Sequence, residues 1–158
     1  MPWTEPSVES IMTAAPLVVG PTDSLAGAMH TMFLNRVRHA PVCDAGGIVG
    51  LLSQRDVYYA QAHIDDGRTD LIVADAMSTF VYVVSPETPV EQVARDLADA
   101  KYGAAVVAIG GKPVGVFTTT DALRMLSRIL GDLRRDAQTI PPNRRAPADE
   151  AEHPVSPR

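Results

Sequence analysis

The stretch Val49-Gly50-Leu51-Leu52-Ser53-Gln54-Arg55-Asp56 returns 65 residues later as Val114-Gly115-Val116-Phe117-Thr118-Thr119-Thr120-Asp121. Both versions run from a short apolar segment suited to a strand into a hydroxyl residue, with an aspartate three positions further on. Sliding the whole chain by the same 65 positions lays residues 8–57 on 73–122 without a gap, and eleven of these 50 pairs are identical. Ordinary residue frequencies would give about three. The identities include Met12/Met77, Val18-Val19/Val83-Val84, Pro21/Pro86, Val42/Val107, Gly46/Gly111 and Asp56/Asp121. A repeat of this period sets the organisation of the chain before any local structure is assigned.

Working outward, each copy opens on an extended stretch, Leu17-Val18-Val19 or Tyr82-Val83-Val84, followed by a proline and a helix start. In the second copy Thr88 is positioned to cap, Pro89 suits the first helical position and Glu91 completes a capping box. Asp23 takes the cap position in the first copy. Leu25, Ala28, Met29, Met32 and Phe33 recur at helical spacing, as do Val90, Val93, Ala94, Leu97 and Ala98. The methionines in this pattern read as core rather than as ligands. Hairpins follow, from Ala40-Pro41-Val42-Cys43 through Asp44-Ala45-Gly46-Gly47 to Ile48–Leu52, and from Ala104–Ile109 through Gly110-Gly111 to Val114–Phe117. Second helices start near Asp56 and Asp121. Each copy is therefore β-α-β-β-α, an α+β unit of about 50 residues, too small to bury its own sheet and helices well. Two such units can pack with pseudo-two-fold symmetry and share a core.

The rest of the chain bounds the function. Its 158 residues are 46% hydrophobic, and the net charge of −5 makes no case for nucleic-acid binding. Cys43 is the only cysteine, so an intramolecular disulfide is excluded. In a predicted buried strand it reads as an inert thiol. The N-terminus lacks the features of a signal peptide and no apolar run approaches membrane-spanning length, so the expectation is a cytoplasmic protein without a membrane partner. Histidines 30, 39, 63 and 153 show no metal-ligand spacing, and no acid/base pair or activated nucleophile suggests catalysis. Residues 1–7 read as an arm carrying Trp3. The expected division is a first repeat at 6–64, a linker at 65–72, a second repeat at 73–130 and a tail at 131–158. That tail holds five prolines and ten charged side chains among 28 residues, a composition that predicts disorder or loose docking.

The ordered set of motifs, occurring twice, resembles the CBS domain family. The matching residues are Val8-x-x-Ile11-Met12-Thr13, the helix from Asp23, Arg38-His39-Ala40-Pro41-Val42 and Gly50-Leu51-Leu52-Ser53-x-x-Asp56. In the second copy they are Val73-x-x-Ala76-Met77-Ser78, the helix from Thr88, Ala104-Ala105-Val106-Val107 and Gly115-Val116-Phe117-Thr118-x-x-Asp121. The resemblance covers roughly residues 6–130. It implies a paired regulatory module with two clefts, association into a homodimer, and AMP, ADP, ATP or S-adenosylmethionine as regulatory ligand, with no obligatory cofactor. It also implies that the aspartate of one repeat works with the first strand and hairpin entry of the other. One cleft then combines Thr118, Thr120 and Asp121 with Thr13, Pro16, Val18, Val37, Arg38 and His39. The other combines Ser53, Arg55 and Asp56 with Ser78, Val81, Val83, Tyr102, Gly103 and Ala104.

An aspartate at a helix start can accept both hydroxyls of a ribose, and the helix N-terminus favours a phosphate. The competing reading makes Ser53-x-x-Asp56 and Thr118-x-x-Asp121 plain helix caps. On the residues alone the Asp121 cleft looks better equipped, through its three threonines with Arg38 and His39, while the Asp56 cleft has Arg55 as its main cation. Two functions stay open: a module that senses an adenosyl ligand and signals to an unknown effector protein, or a ligand-free dimerisation and protein-interaction module.

Overall fold

The computed structural model describes residues 4–63, 68 and 70–139. Trp3, half of the expected linker and residues 140–158 of the expected tail lie outside the described residues. In chain order, a 3₁₀ turn at Val8–Ser10 leads into β1 (Thr13–Ala14), α1 (Leu25–Leu34), β2 (His39–Asp44), β3 (Gly47–Ser53) and α2 (Gln54–Ala62). The second copy repeats the order with a 3₁₀ turn at Val73–Asp75, β4 (Val83–Val84), α3 (Val90–Ala100), β5 (Ala104–Ile109), β6 (Lys112–Thr118) and α4 (Thr119–Thr139). Residues through Arg124 group into one compact unit, and the remaining turns of α4 belong to a second.

Both hairpins form where the sequence placed them. Gly110 and Gly111 take φ of 57° and 78°, the pair of positive values that a two-residue turn of strand-compatible twist requires. In the first copy Asp44 Oδ1 accepts the Gly46 N–H at 2.7 Å, and Gly47 takes a φ of 119°. The pairing registers then match across the repeat: Val42 lies opposite Gly50 and Val107 opposite Gly115, each followed by a one-residue shift.

The lead-in segment of each copy crosses to the other copy. Val8 donates its N–H to the Thr88 carbonyl at 2.8 Å, and the equivalent Val73 donates to Asp23 at 2.9 Å. Val90 N–H bonds to Pro6 at 3.0 Å, and the equivalent Leu25 N–H to Leu71 at 2.9 Å. Thr13 of β1 pairs with Val116 of β6, and Ser78 forms the matching bridge to Leu51 of β3. Strands β1-β6-β5-β4 thus make one sheet from both repeats, and β2-β3 make the other. Val73, fully buried, belongs to the core cluster with Leu25, Met32, Val42, Leu52 and Val57 of the first copy.

The exchange explains two departures from expectation. Ser24, not Asp23, caps α1, while the Asp23 carboxylate instead accepts the Gly20 N–H at 2.7 Å. Helix α3 has Pro89 at its N-cap and no side-chain cap, and no capping box forms between Thr88 and Glu91. The backbone carbonyls of Leu71 and Pro6 meet the first helical N–H groups of α1 and α3, a task otherwise left to a cap.

On the helices, Leu25, Ala28, Met32, Val90, Val93 and Leu97 are buried as their spacing requires, whereas Phe33 is 70% exposed and Ala98 is exposed. The boundary expected at residue 131 falls inside α4, which continues to Thr139. A lone helical glycine such as Gly131 costs only about 1 kcal/mol. The prolines that cannot continue a helix first appear at Pro141.

Gly50 is required by close approach. A Cβ there would lie 2.9 Å from the Ser78 carbonyl and 2.6 Å from Met77 Sδ, while one on Gly115 would press on the Met12 side chain. By contrast a Cβ on Gly27, inside α1, meets nothing nearer than 3.6 Å. Gly50→Ala is therefore expected to destabilise by about 1–3 kcal/mol, and Gly27→Ala to stabilise by about 0.5–1 kcal/mol. Urea unfolding of the two variants checks both signs.

Candidate functional site

Two clefts of about 780 and 400 Å³ lie where strands β3 and β6 hand over to α2 and α4. Both are in the size range of small-ligand sites. Strand exchange creates them. Because Ser78 pairs with Leu51, the chain from Ser78 to Tyr82 passes over the start of α2. Because Thr13 pairs with Val116, Thr13 to Leu17 passes over the start of α4.

Each helix start is a capping box. In the larger cleft, Asp56 Oδ2 accepts from the Ser53 N–H at 3.1 Å and from Ser53 Oγ at 2.6 Å, while Ser53 Oγ accepts the Asp56 N–H at 3.1 Å. In the smaller cleft, Asp121 Oδ2 accepts from the Thr118 N–H at 2.9 Å and from Thr118 Oγ1 at 2.7 Å. The second carboxylate oxygens differ. Asp121 Oδ1 accepts from Arg124 at 3.2 Å, in an ion pair on a side chain only 10% exposed. Asp56 Oδ1 has no hydrogen-bond partner among the described residues. The cap and a ligand are therefore not exclusive at Asp56: one oxygen holds the helix start and the other is free.

Of the residues predicted for the Asp121 cleft, the structure brings together Thr13, Pro16, Val37, Arg38, His39, Thr118, Thr120 and Asp121. Val18 does not line it. At the Asp56 cleft, Ser53, Arg55, Asp56, Ser78, Tyr102, Gly103 and Ala104 come together, and Val81 and Val83 do not. The misses share one cause. Side chains of an extended segment alternate between faces, and Phe80 and Tyr82 turn to the cleft while Val81 and Val83 turn away. Val18, 42% exposed, is likewise out of phase with Leu17.

Other lining residues were not anticipated. Phe80, Tyr82 and Tyr102 form an aromatic wall in the Asp56 cleft, with ring centroids 5.4 Å apart for Phe80–Tyr102 and 5.9 Å for Tyr82–Tyr102. The Tyr82 hydroxyl donates to Asp96, and burial together with this carboxylate pushes its pKa up to about 12. The corresponding positions of the Asp121 cleft are Ala15, Leu17 and Val37. Arg36 and Lys101, 65 residues apart, each take a left-handed backbone just past the first helix of their repeat, and each lines one cleft. A basic residue repeated at equivalent positions was the signal that could have found them. The Asp56 cleft thus carries Arg38, Arg55 and Lys101 rather than Arg55 alone. The two clefts differ in size and in the state of the outward carboxylate oxygen: the Asp121 side is smaller, carries Arg36, Arg38 and Arg124, and has that oxygen paired with Arg124.

The description "CBS domain" matches residues 8–63 and again 73–128. The chain belongs to the CBS domain family. Among solved structures, this CBS pair is similar to AcuB of Vibrio cholerae, 28% identical, covering 84% of this chain and 98% of that one with a TM-score of 0.72. It is similar to CBSX2 in complex with AMP, 27% identical, covering 78% and 98% of the two chains with a TM-score of 0.67. It also matches an uncharacterized 33.4 kDa protein in a ribosomal RNA operon of Thermofilum pendens, 28% identical over 138 residues. The CBS pair covers 81% of itself but only 46% of that curated relative. No helix among the described residues is long and apolar enough to cross a membrane, and no group of metal-binding side chains occurs among them.

Cys43, half-buried in β2, has its thiol pKa raised chiefly by burial and further by Asp44. His39 lies between the clefts. Burial lowers its pKa from the usual 6.5; Arg38 and Arg55 lower it further, and Asp56 opposes them. A histidine with a lowered folded-state pKa stabilises fully above its unfolded value and loses that contribution as pH falls through the folded value. Thermal stability is therefore expected to fall as the pH drops below about 6.5. His39→Gln should flatten that part of the profile, which melting curves between pH 7.5 and 5 would reveal.

Proposed function

We propose that this CBS pair is a regulatory module that binds an adenosyl ligand, of the AMP, ADP and ATP class or S-adenosylmethionine, with the Asp56 cleft as its principal site. The observation that carries this reading is the free Oδ1 of Asp56, held beside an aromatic wall and three cations. A ribose diol donates to that oxygen. The adenine stacks on the Phe80–Tyr102 face, an interaction worth about 1–3 kcal/mol for a base on an aromatic ring. A phosphate meets Arg38, Arg55 or Lys101 and the N-terminus of α2. The AMP complex of CBSX2 supports the class of ligand.

Such a ligand touches Ser78–Tyr82 from one repeat and Ser53–Asp56 from the other, so binding favours whichever packing of the two repeats closes the cleft best. Occupancy passes to an effector protein only as far as the two packings differ in ligand affinity. Asp56→Asn is expected to weaken AMP binding at least tenfold by calorimetry, about 1.4 kcal/mol, and Asp121→Asn less than threefold. A larger loss at Asp121 overturns the choice of cleft. The absence of saturable binding of AMP, ADP, ATP and S-adenosylmethionine overturns the function.

One observation favours the second reading, an interaction module that dimerises. Leu126, Leu130 and Leu133 of α4 are each at least 50% exposed, at spacings of four and three that put them on one helix face. A homodimer through that face would bury them. Light scattering is expected to give twice the chain mass for the native protein, and half that value for Leu126→Asp/Leu130→Asp.

A further inference from the structure

Arg38, His39 and Thr119 line both clefts. Arg38 and His39 have no like counterpart in the second repeat: their equivalents, 65 positions on, are Gly103 and Ala104. A Cβ on Gly103 would lie 2.7 Å from His39 Nε2, so the imidazole occupies the room that a second partition side chain would need. Both sides of this partition are tied to the helix starts. The Arg38 carbonyl accepts the Gln54 N–H at 2.9 Å, the Val37 carbonyl accepts from Gln54 Nε2 at 3.3 Å, and the Gly103 carbonyl accepts the Thr119 N–H at 3.2 Å.

We propose that the Arg38–His39 partition couples the two clefts negatively for anionic ligands, so that a phosphate-bearing ligand in one cleft disfavours a second in the other, whereas an uncharged adenosyl ligand fills both independently. The inference rests on the adenosyl reading above. Two physical reasons carry it. A guanidinium engages one phosphate with its planar fork, and Arg38 is the single arginine common to both clefts; a strictly symmetric pair would have two. Once Arg38 serves the first ligand, a second anion approaches the other side of the same partition without that cation and faces a like charge across it. The remaining cations, such as Arg55 and Lys101 on one side and Arg36 on the other, each line only one cleft. They give each cleft its own anion affinity but not the coupling.

The test compares the Asp121 cleft with its neighbour filled and with its neighbour weakened. Calorimetric titrations use AMP and adenosine on the full chain, on Asp56→Asn and on Arg38→Ala. For AMP, the second site of the native chain is expected to be at least tenfold weaker than the Asp121 cleft measured alone in Asp56→Asn. For adenosine, the two values are expected to agree within about threefold. In Arg38→Ala, AMP affinity falls in both clefts, and the two steps of its titration draw closer together. Independent filling of both clefts by AMP overturns the coupling and leaves the adenosyl reading intact. An equal tenfold loss with adenosine overturns charge as its cause. No binding of either ligand to any of the three proteins overturns the adenosyl reading itself.

Discussion

Everything in the first 124 residues depends on an exchange of backbone hydrogen bonds between the two repeats. Val8 and Val73 each reach across to a carbonyl beside the other copy's first helix, and Thr13 and Ser78 each pair with the other copy's hairpin. A single bond of this kind contributes about 0.5–1.5 kcal/mol net, but here the bonds come as a set. Together they position Val8 and Val73, both fully buried, and they meet the first N–H groups of α1 and of α3, the latter without a side-chain cap. Neither repeat is complete alone: the second takes strand β1 from the first, the first takes the Ser78 bridge from the second, and each receives an apolar plug from the other. That incompleteness is the physical reason for a duplicated chain.

The same exchange produces the clefts. A strand that leaves its own repeat to pair with the partner hairpin must pass over the helix that follows that hairpin. It does so twice, and each passage encloses an aspartate locked in a capping box. Symmetry then breaks through side chains alone. At equivalent backbone positions one cleft has Phe80, Tyr82 and Tyr102, while the other has Ala15, Leu17 and Val37. One aspartate oxygen has no hydrogen-bond partner among the described residues, and its counterpart is paired with Arg124. A common frame thus carries two different chemistries, and the Arg38–His39 partition belongs to both because only the first repeat supplies it.

Much of this was legible in the residues. The 65-residue offset, the glycine turns and the buried Met32 all stand in the structure. The cap assignments at Asp23 and Thr88 did not survive, because carbonyls from residues distant in sequence took the N–H groups that those side chains would have met. Val18, Val81 and Val83 were misplaced by one step of strand alternation, which stretches this short leave undetermined. Phe33 fits a helical apolar pattern and yet is exposed, since the pattern gives a stripe but not its width.

By itself, then, the sequence determined the duplicated unit, its turns and the identity of the two aspartates, because these rest on local backbone preference and on a period that can be counted. Tertiary structure alone decided which carboxylate oxygen is free, which aromatic rings share a cleft, and that Arg38 and His39 stand between two clefts. Those properties depend on side chains that the fold brings together, in part through backbone bonds between the repeats whose partners no local pattern names.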